Sequence, residues 1–166
     1  MNYIFGYELR QKTNQKILRR RYCLIDPRHF KRPESVLVVV HTATDVLLIK
    51  RVDHKNFWQS VTGSLEWGET ANQAALRELA EETGISNAKL RDTGVRRSYE
   101  ILEQWKSRYH PDTTRNHEHL FYCSLERRCD INLNPAEHSE YQWLSFDQAK
   151  NEVYSWSNRL AIESLR

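Results

Sequence analysis

GSLEWGETANQAALRELAEETGI, residues 63–85, is the stretch on which the fold reading turns. Thr70 and Gln73 have the spacing of a capping box, and Gly84 sits where a helix C-terminus would break. Between them Ala71, Ala74, Ala75 and Leu79 recur with helical period, giving one narrow packing face of small residues. The charges are poorly placed for folding alone. At about 100° per residue, Glu78 and Glu82 lie about 40° apart and Glu81 about 60° to the other side of Glu78. Like charges at this spacing destabilise a helix by a few tenths of a kcal/mol per pair. Glu81 and Glu82 also fall in the last turn, where the helix dipole disfavours negative charge by roughly 0.3–1 kcal/mol each. A divalent cation removes both penalties, because hard cations such as Mg²⁺ take oxygen ligands from carboxylates, phosphate and water. An exposed acidic helix, with Arg77 and Glu81 as an ordinary i,i+4 ion pair, explains the same pattern, and charge alone leaves both readings open.

Working outward toward the N-terminus, residues 57–62 alternate in part and predict a strand that stops at Gly63. Residues 46–49 and 35–40 are short apolar runs rich in β-branched residues, the second of a kind buried on both faces. The polar stretch between these two runs suits a hairpin. Toward the C-terminus, residues 90–105 and 118–126 read as strands, 108–116 as a loop and 141–144 as a short strand. Ser145 with Gln148 is expected to cap a short helix, and Ser157 a last one carrying Leu160, Ala161, Ile162 and Leu165. The sum is a mixed sheet with a few helices packed on it.

The length of 166 residues fits one domain, and the chain carries no repeat, low-complexity tract or Gly/Ser linker. Residues 1–30 are mixed and basic, an N-terminal extension of open role that is read as a strand pair or a loosely held arm. No apolar run approaches the roughly 20 residues of a membrane helix, and the N-terminus lacks the order of a secretory signal. Cys23, Cys123 and Cys129 form no CxxC pair, which argues against a zinc site and for a reducing, cytoplasmic setting. A net charge of +3 is too mild to mark a nucleic-acid binder, although Arg19–Arg21 and Arg96–Arg97 are local basic clusters. The first cluster reads as a solvated face.

In context, the 63–85 segment resembles the signature of the Nudix hydrolases. That pattern runs Gly, five residues, Glu, seven residues, Arg-Glu, an aliphatic, any residue, Glu-Glu, any residue, Gly, an aliphatic. Gly63, Glu69, Arg77, Glu78, Leu79, Glu81, Glu82, Gly84 and Ile85 fill it in order. The resemblance implies an α/β fold, an α/β/α sandwich around a mixed β-sheet, spanning residues 31–166, with Mg²⁺ (alternatively Mn²⁺) as cofactor. Further segments, Lys31-Arg32-Pro33, FWQSVTGS at 57–64, RYxPxxTRN at 108–116, Glu137-His138 and SWSNRxAIE at 155–163, are similar to the branch of that family acting on a pterin triphosphate. The likeness covers about residues 31–165.

This resemblance implies a hydrolase that cleaves dihydroneopterin triphosphate to the monophosphate and pyrophosphate. It points to Glu78, Glu82 and Glu137 as metal ligands, with Glu81 next, and to Arg77 as part of the catalytic set. Lys31 and Arg51 are expected at phosphate, and Thr62, Tyr99, Glu100, Ile101, Leu102 and Ser155 around the pterin. Gly63 is expected to let the backbone approach metal or phosphate closely, and Glu69 to brace the loop. The partner is a small-molecule triphosphate rather than nucleic acid or membrane, and a monomer is favoured. Plainer roles compete: Arg51 as a surface pair with Asp53, Glu137 as an exposed turn acid, and Trp58, Trp143 and Trp156 as core. His117, Glu118 and His119 do not make a convincing metal site. A broader nucleoside triphosphate or dinucleoside polyphosphate hydrolase shares the box, whereas a non-cleaving nucleotide sensor is disfavoured because every box glutamate is present.

Overall fold

A computed structural model describes residues 26–165. The Arg19–Arg21 cluster, Cys23 and the strand pair expected within residues 1–30 fall ahead of these and outside the described residues. Seven strands follow one another as β1 (Glu34–His41), β2 (Asp45–Arg51), β3 (Trp58–Gln59), β4 (Val61–Ser64), β5 (Leu90–Glu100), β6 (Arg115–Ser124) and β7 (His138–Ser145). Helix α1 (Ala71–Thr83) lies between β4 and β5, and α2 (Phe146–Glu152) and α3 (Trp156–Glu163) close the chain. Short 3₁₀ turns occupy Pro27–His29 and Glu103–Arg108. Among the described residues no helix is long and apolar enough to cross a membrane.

The sheet is mixed and covered on both faces. β1 runs parallel to β6 and antiparallel to β4, while β2 runs antiparallel to β3 and β7 and β5 lies antiparallel outside β6. β1 alternates its side chains between two cores, which is why its sequence is apolar at every position from Val36 to Val40. Val36, Val38 and Val40 pack with Leu47, Ile49, Phe121 and the Ala74–Ala75–Leu79 stripe of α1. Leu37 and Val39 pack on the other side with Leu48, Leu120 and the Ala161–Ile162 face of α3. The result is the three-layer α/β/α arrangement expected. α1 also starts and stops as predicted, with a complete Thr70–Gln73 capping box and Gly84 in the left-handed region at φ 74°.

The expected hairpin forms but is short, and three local expectations need correction. The hairpin of β1 and β2 opens after a single pair, His41 with Val46, because each strand then takes different neighbours. The single strand expected over 57–62 is two short strands: Trp58–Gln59 pairs with β2, and Val61–Ser64 pairs with β1 and runs past Gly63. At the crossover between them, Asn158 of α3 accepts from Ser60 N–H at 2.8 Å and donates to Ser60 Oγ at 2.9 Å. A buried backbone donor without a ladder partner must find one elsewhere, and Asn158 supplies it. The strand expected over 90–105 ends at Glu100, and the chain turns through Glu103–Arg108 instead. The last helix is capped by Ser155, whose side chain accepts from Asn158 N–H, while Ser157 is buried in the first turn, two residues further on.

Candidate active site

Arg77 ties the box together. Its Nε and Nη2 donate to the two oxygens of Glu69 at 2.9 and 3.0 Å, Nη2 also to Ser64 O at 3.1 Å. Its Nη1 donates to Glu78 at 2.8 Å and to Glu81 at 3.1 Å. This planar fork fastens the loop 63–69 to the helix, and Glu69 completes the brace by accepting from Glu66 N–H at 2.9 Å. Gly63 lines the small cavity beside this loop and also has a steric role toward Glu78. A Cβ built there would lie 1.8 Å from the Glu78 carboxyl, so the missing side chain makes room for Glu78 itself.

Glu82 is 2% exposed. Its Oε2 accepts from Thr62 N–H at 3.2 Å, and its Oε1 lies 3.1 Å from His138 Nε2. That imidazole is also buried, and among the described residues neither ring nitrogen completes an aligned hydrogen bond. Glu82, Glu137 and His138 each bring one ligand atom within 4.8 Å of the others. Glu137 reaches this group from a turn shaped by Asn134, which donates to the Glu137 carboxylate at 3.0 Å. Burial holds Glu82 above the ordinary carboxyl range, opposed by the imidazole of His138 beside it. Burial likewise pushes Glu78 up to about 7, opposed by its bond to Arg77. Glu78 lies outside that group, held by Arg77; within it, an acid buried at a charge cost beside a second acid and a buried imidazole is what an oxygen-seeking divalent cation would relieve. The donor set therefore fits such an ion.

Two cavities adjoin here and share Thr62, Tyr99 and Trp105 on their walls. The smaller, about 130 Å³, is lined by Lys31, Gly63 and Arg108. Burial lowers the Lys31 pKa, as does the neighbouring Arg108, while the charges of Glu78 and Glu137 act the other way. The larger, about 460 Å³, is walled by Phe57, Trp105, Tyr154 and Trp156, with Gln59 and Glu118 also lining it. Phe57 and Tyr154 stack at 4.2 Å between ring centroids. Such a volume and lining suit a flat heterocycle.

Of the residues anticipated, Thr62, Tyr99, Glu100, Leu102 and Ser155 do line the large cavity. Ile101 does not, being 4% exposed and turned to the small one. Glu81 is largely exposed and bound to Arg77, outside the Glu82–Glu137–His138 group. Arg51 makes the ion pair with Asp53, at 2.6 Å, yet is also close enough to Glu82 and Glu137 for their charges to raise its pKa. Trp58 belongs to the core, Trp143 packs partly against it, and Trp156 is exposed on the cavity wall. His138, Arg108, Trp105 and Gln59 are residues of this candidate site that the sequence does not single out. His138 and Arg108 each sat inside a quoted segment, but nothing in their spacing indicates that they turn inward.

Residues 31–164 match the NUDIX domain family. The dihydroneopterin triphosphate diphosphatase of Escherichia coli (strain K12) is 43% identical over 140 residues, covering 81% of this chain and 92% of that one. The enzyme of the same name from Haemophilus influenzae is 35% identical, covering 81% of this chain and 87% of its own length. The solved structure of the E. coli dihydroneopterin triphosphate pyrophosphohydrolase superposes with a TM-score of 0.76 at 42% identity, over 81% of this chain and 95% of that one.

Proposed function

The chain belongs to the NUDIX family, and from that premise we propose that it hydrolyses dihydroneopterin triphosphate to dihydroneopterin monophosphate and pyrophosphate. The observation that carries this reading is the adjoining of the two cavities: a flat ring fits the aromatic one while its phosphates lie in the basic one, beside the acidic group. The two similar enzymes of that activity, matched over nearly their whole length, support the choice of ring.

Glu78, Glu82 and Glu137 would hold the divalent cation, with Mg²⁺ favoured by the hard carboxylate oxygens and Mn²⁺ the alternative. When bound, the ion supplies charge neutralisation at the phosphoryl oxygens and acidifies water. His138 positions Glu82 from behind. Lys31 and Arg108, with Arg51 at their side, hold the anionic chain. One of the three glutamates takes the proton of the attacking water, and Arg77 keeps Glu78 in place while it does so. Free Cys123 and Cys129 suit a cytoplasmic enzyme, and we favour one that acts as a monomer without nucleic acid or membrane. The hydrolase domain begins at residue 31, with residues 1–30 as an extension ahead of it.

The test is a substrate panel with phosphate-versus-pyrophosphate product analysis. The expected result is the highest kcat/KM on dihydroneopterin triphosphate, with pyrophosphate as product. Faster turnover of dATP or diadenosine tetraphosphate would replace this reading with a broader nucleotide hydrolase.

A further inference from the structure

Glu118 sits on β6 where that strand borders the large cavity, and no part of the hydrolysis described above uses it. It is 5% exposed, and its Oε2 accepts from Ser157 Oγ at 3.3 Å. Its Oε1, itself buried, has no hydrogen-bond partner among the described residues, and the Arg97 guanidinium stands 4.0 Å away with its Nη1 given to Ser157 O at 3.0 Å. A second buried group on the same cavity wall is similarly incomplete: Gln59 is 7% exposed and its Nε2, itself buried, has no partner among the described residues. Leaving such groups unmet costs free energy, so a cavity that keeps two of them invites a ligand that meets both. One wall thus offers a carboxylate acceptor and an amide donor, between aromatic faces.

We infer that Glu118 and Gln59 read the 2-amino-4-oxopyrimidine edge of the substrate ring, with the carboxylate accepting from the ring N–H and the exocyclic amine and the amide donating to the carbonyl. This rests on the function proposed above and extends it to the choice of base. Pterin and guanine both present that donor, donor, acceptor order. Adenine presents a bare ring nitrogen in place of the N–H and an amine in place of the carbonyl, so it meets the carboxylate with a lone pair and the amide with a donor. A site built to bond a particular polar edge discriminates strongly, because the wrong ring leaves buried groups unmet. Burial holds the Glu118 carboxyl above its ordinary range, opposed by Ser157 and Arg97, so its charge is disfavoured until donors of the right geometry arrive. The aromatic walls add stacking that does not distinguish one ring from another.

The experiment measures kcat and KM of the full chain and of Glu118→Gln on dihydroneopterin triphosphate, GTP and dATP at saturating Mg²⁺. The substitution keeps shape and removes one acceptor, so kcat/KM on the first two substrates should fall roughly 100-fold, mainly through KM, with dATP within about threefold. An equal fall on all three, or an unchanged ratio of pterin to adenine substrate, overturns the inference. Should Glu118→Gln not fold, Gln59→Leu answers the same question. It should lower the first two by about tenfold and leave dATP alone, and a uniform loss again overturns it. If the unsubstituted protein prefers GTP to the pterin, the proposed function fails, while the role of Glu118 is still read from the GTP-to-dATP ratio.

Discussion

Glu69, Arg77, Glu78 and Glu82 come from a single loop and helix, where Arg77 holds Glu69 and Glu78 and the Thr62 N–H holds Glu82. The aromatic cavity is walled by side chains from β3, β5, β6, the Glu103–Arg108 turn and the lead into α3, and its closest internal tie is Asn158 reaching Ser60 across the fold. The contrast divides the work. An acidic end built mostly from one loop and helix, which Glu137 and His138 join from the turn into β7, handles phosphate, which every substrate of this class shares. A remotely assembled pocket handles the ring, which differs between them. Changes at the first should strike all substrates alike, and changes at the second should sort them.

The sharpest break is Glu82→Gln. Removing this carboxylate should cut kcat by roughly 10²–10³-fold on every triphosphate tested. The melting temperature without metal should hold or rise, because an acid buried at a charge cost becomes a neutral amide that still accepts from Thr62. Turnover within a few-fold of the parent would remove Glu82 from the metal set. Next comes Gly63→Ala, which adds a methyl where the Glu78 carboxyl now lies. We expect a loss of about 10²-fold, again on all substrates, accompanied by weaker Mg²⁺ binding in a calorimetric titration. Normal Mg²⁺ affinity in that variant would show that Glu78 has another place to go.

Asn158→Ala tests the opposite end. It strands the Ser60 N–H and should cost about 1–3 kcal/mol in denaturant unfolding. In the molecules that remain folded, KM for the ring-bearing substrate should rise several-fold with kcat little changed. A fall in kcat with KM intact would mean the two ends are mechanically coupled.

The smallest effect is on stability. Burial raises the pKa of Glu82 and takes that of Glu78 from 4.5 to about 7, so over that range the folded protein keeps protons the unfolded chain has released. Metal-free protein should therefore lose stability as pH climbs from about 4.5 through 7. Millimolar Mg²⁺ replaces those protons, and its gain in melting temperature should be a few degrees larger at pH 8 than at pH 5.5. An equal gain at both values would separate ion binding from these two acids.

The helix that carries the metal-facing acids was legible because its signals are local: Thr70 with Gln73 at one end, Gly84 at the other, and alanines at helical spacing between. The buried character of β1 was equally plain from its apolar run. Ser60 illustrates what was not. Nothing near it in the chain indicates that a strand should break there, since the group that satisfies its backbone belongs to α3. Ser157 misled for a related reason, as a good cap by type whose hydroxyl is turned to Glu118 instead. Sequence alone determined the acidic helix and its limits, because capping and periodicity act over a few residues, and the likeness of its spacing to the Nudix signature supplied the class of chemistry. Only the tertiary structure decided that Gly63 makes room for Glu78, that His138 stands beside Glu82 and that Glu118 and Gln59 border one cavity. Those relations depend on burial and on which strands become neighbours, and neither is a property of any short stretch of chain.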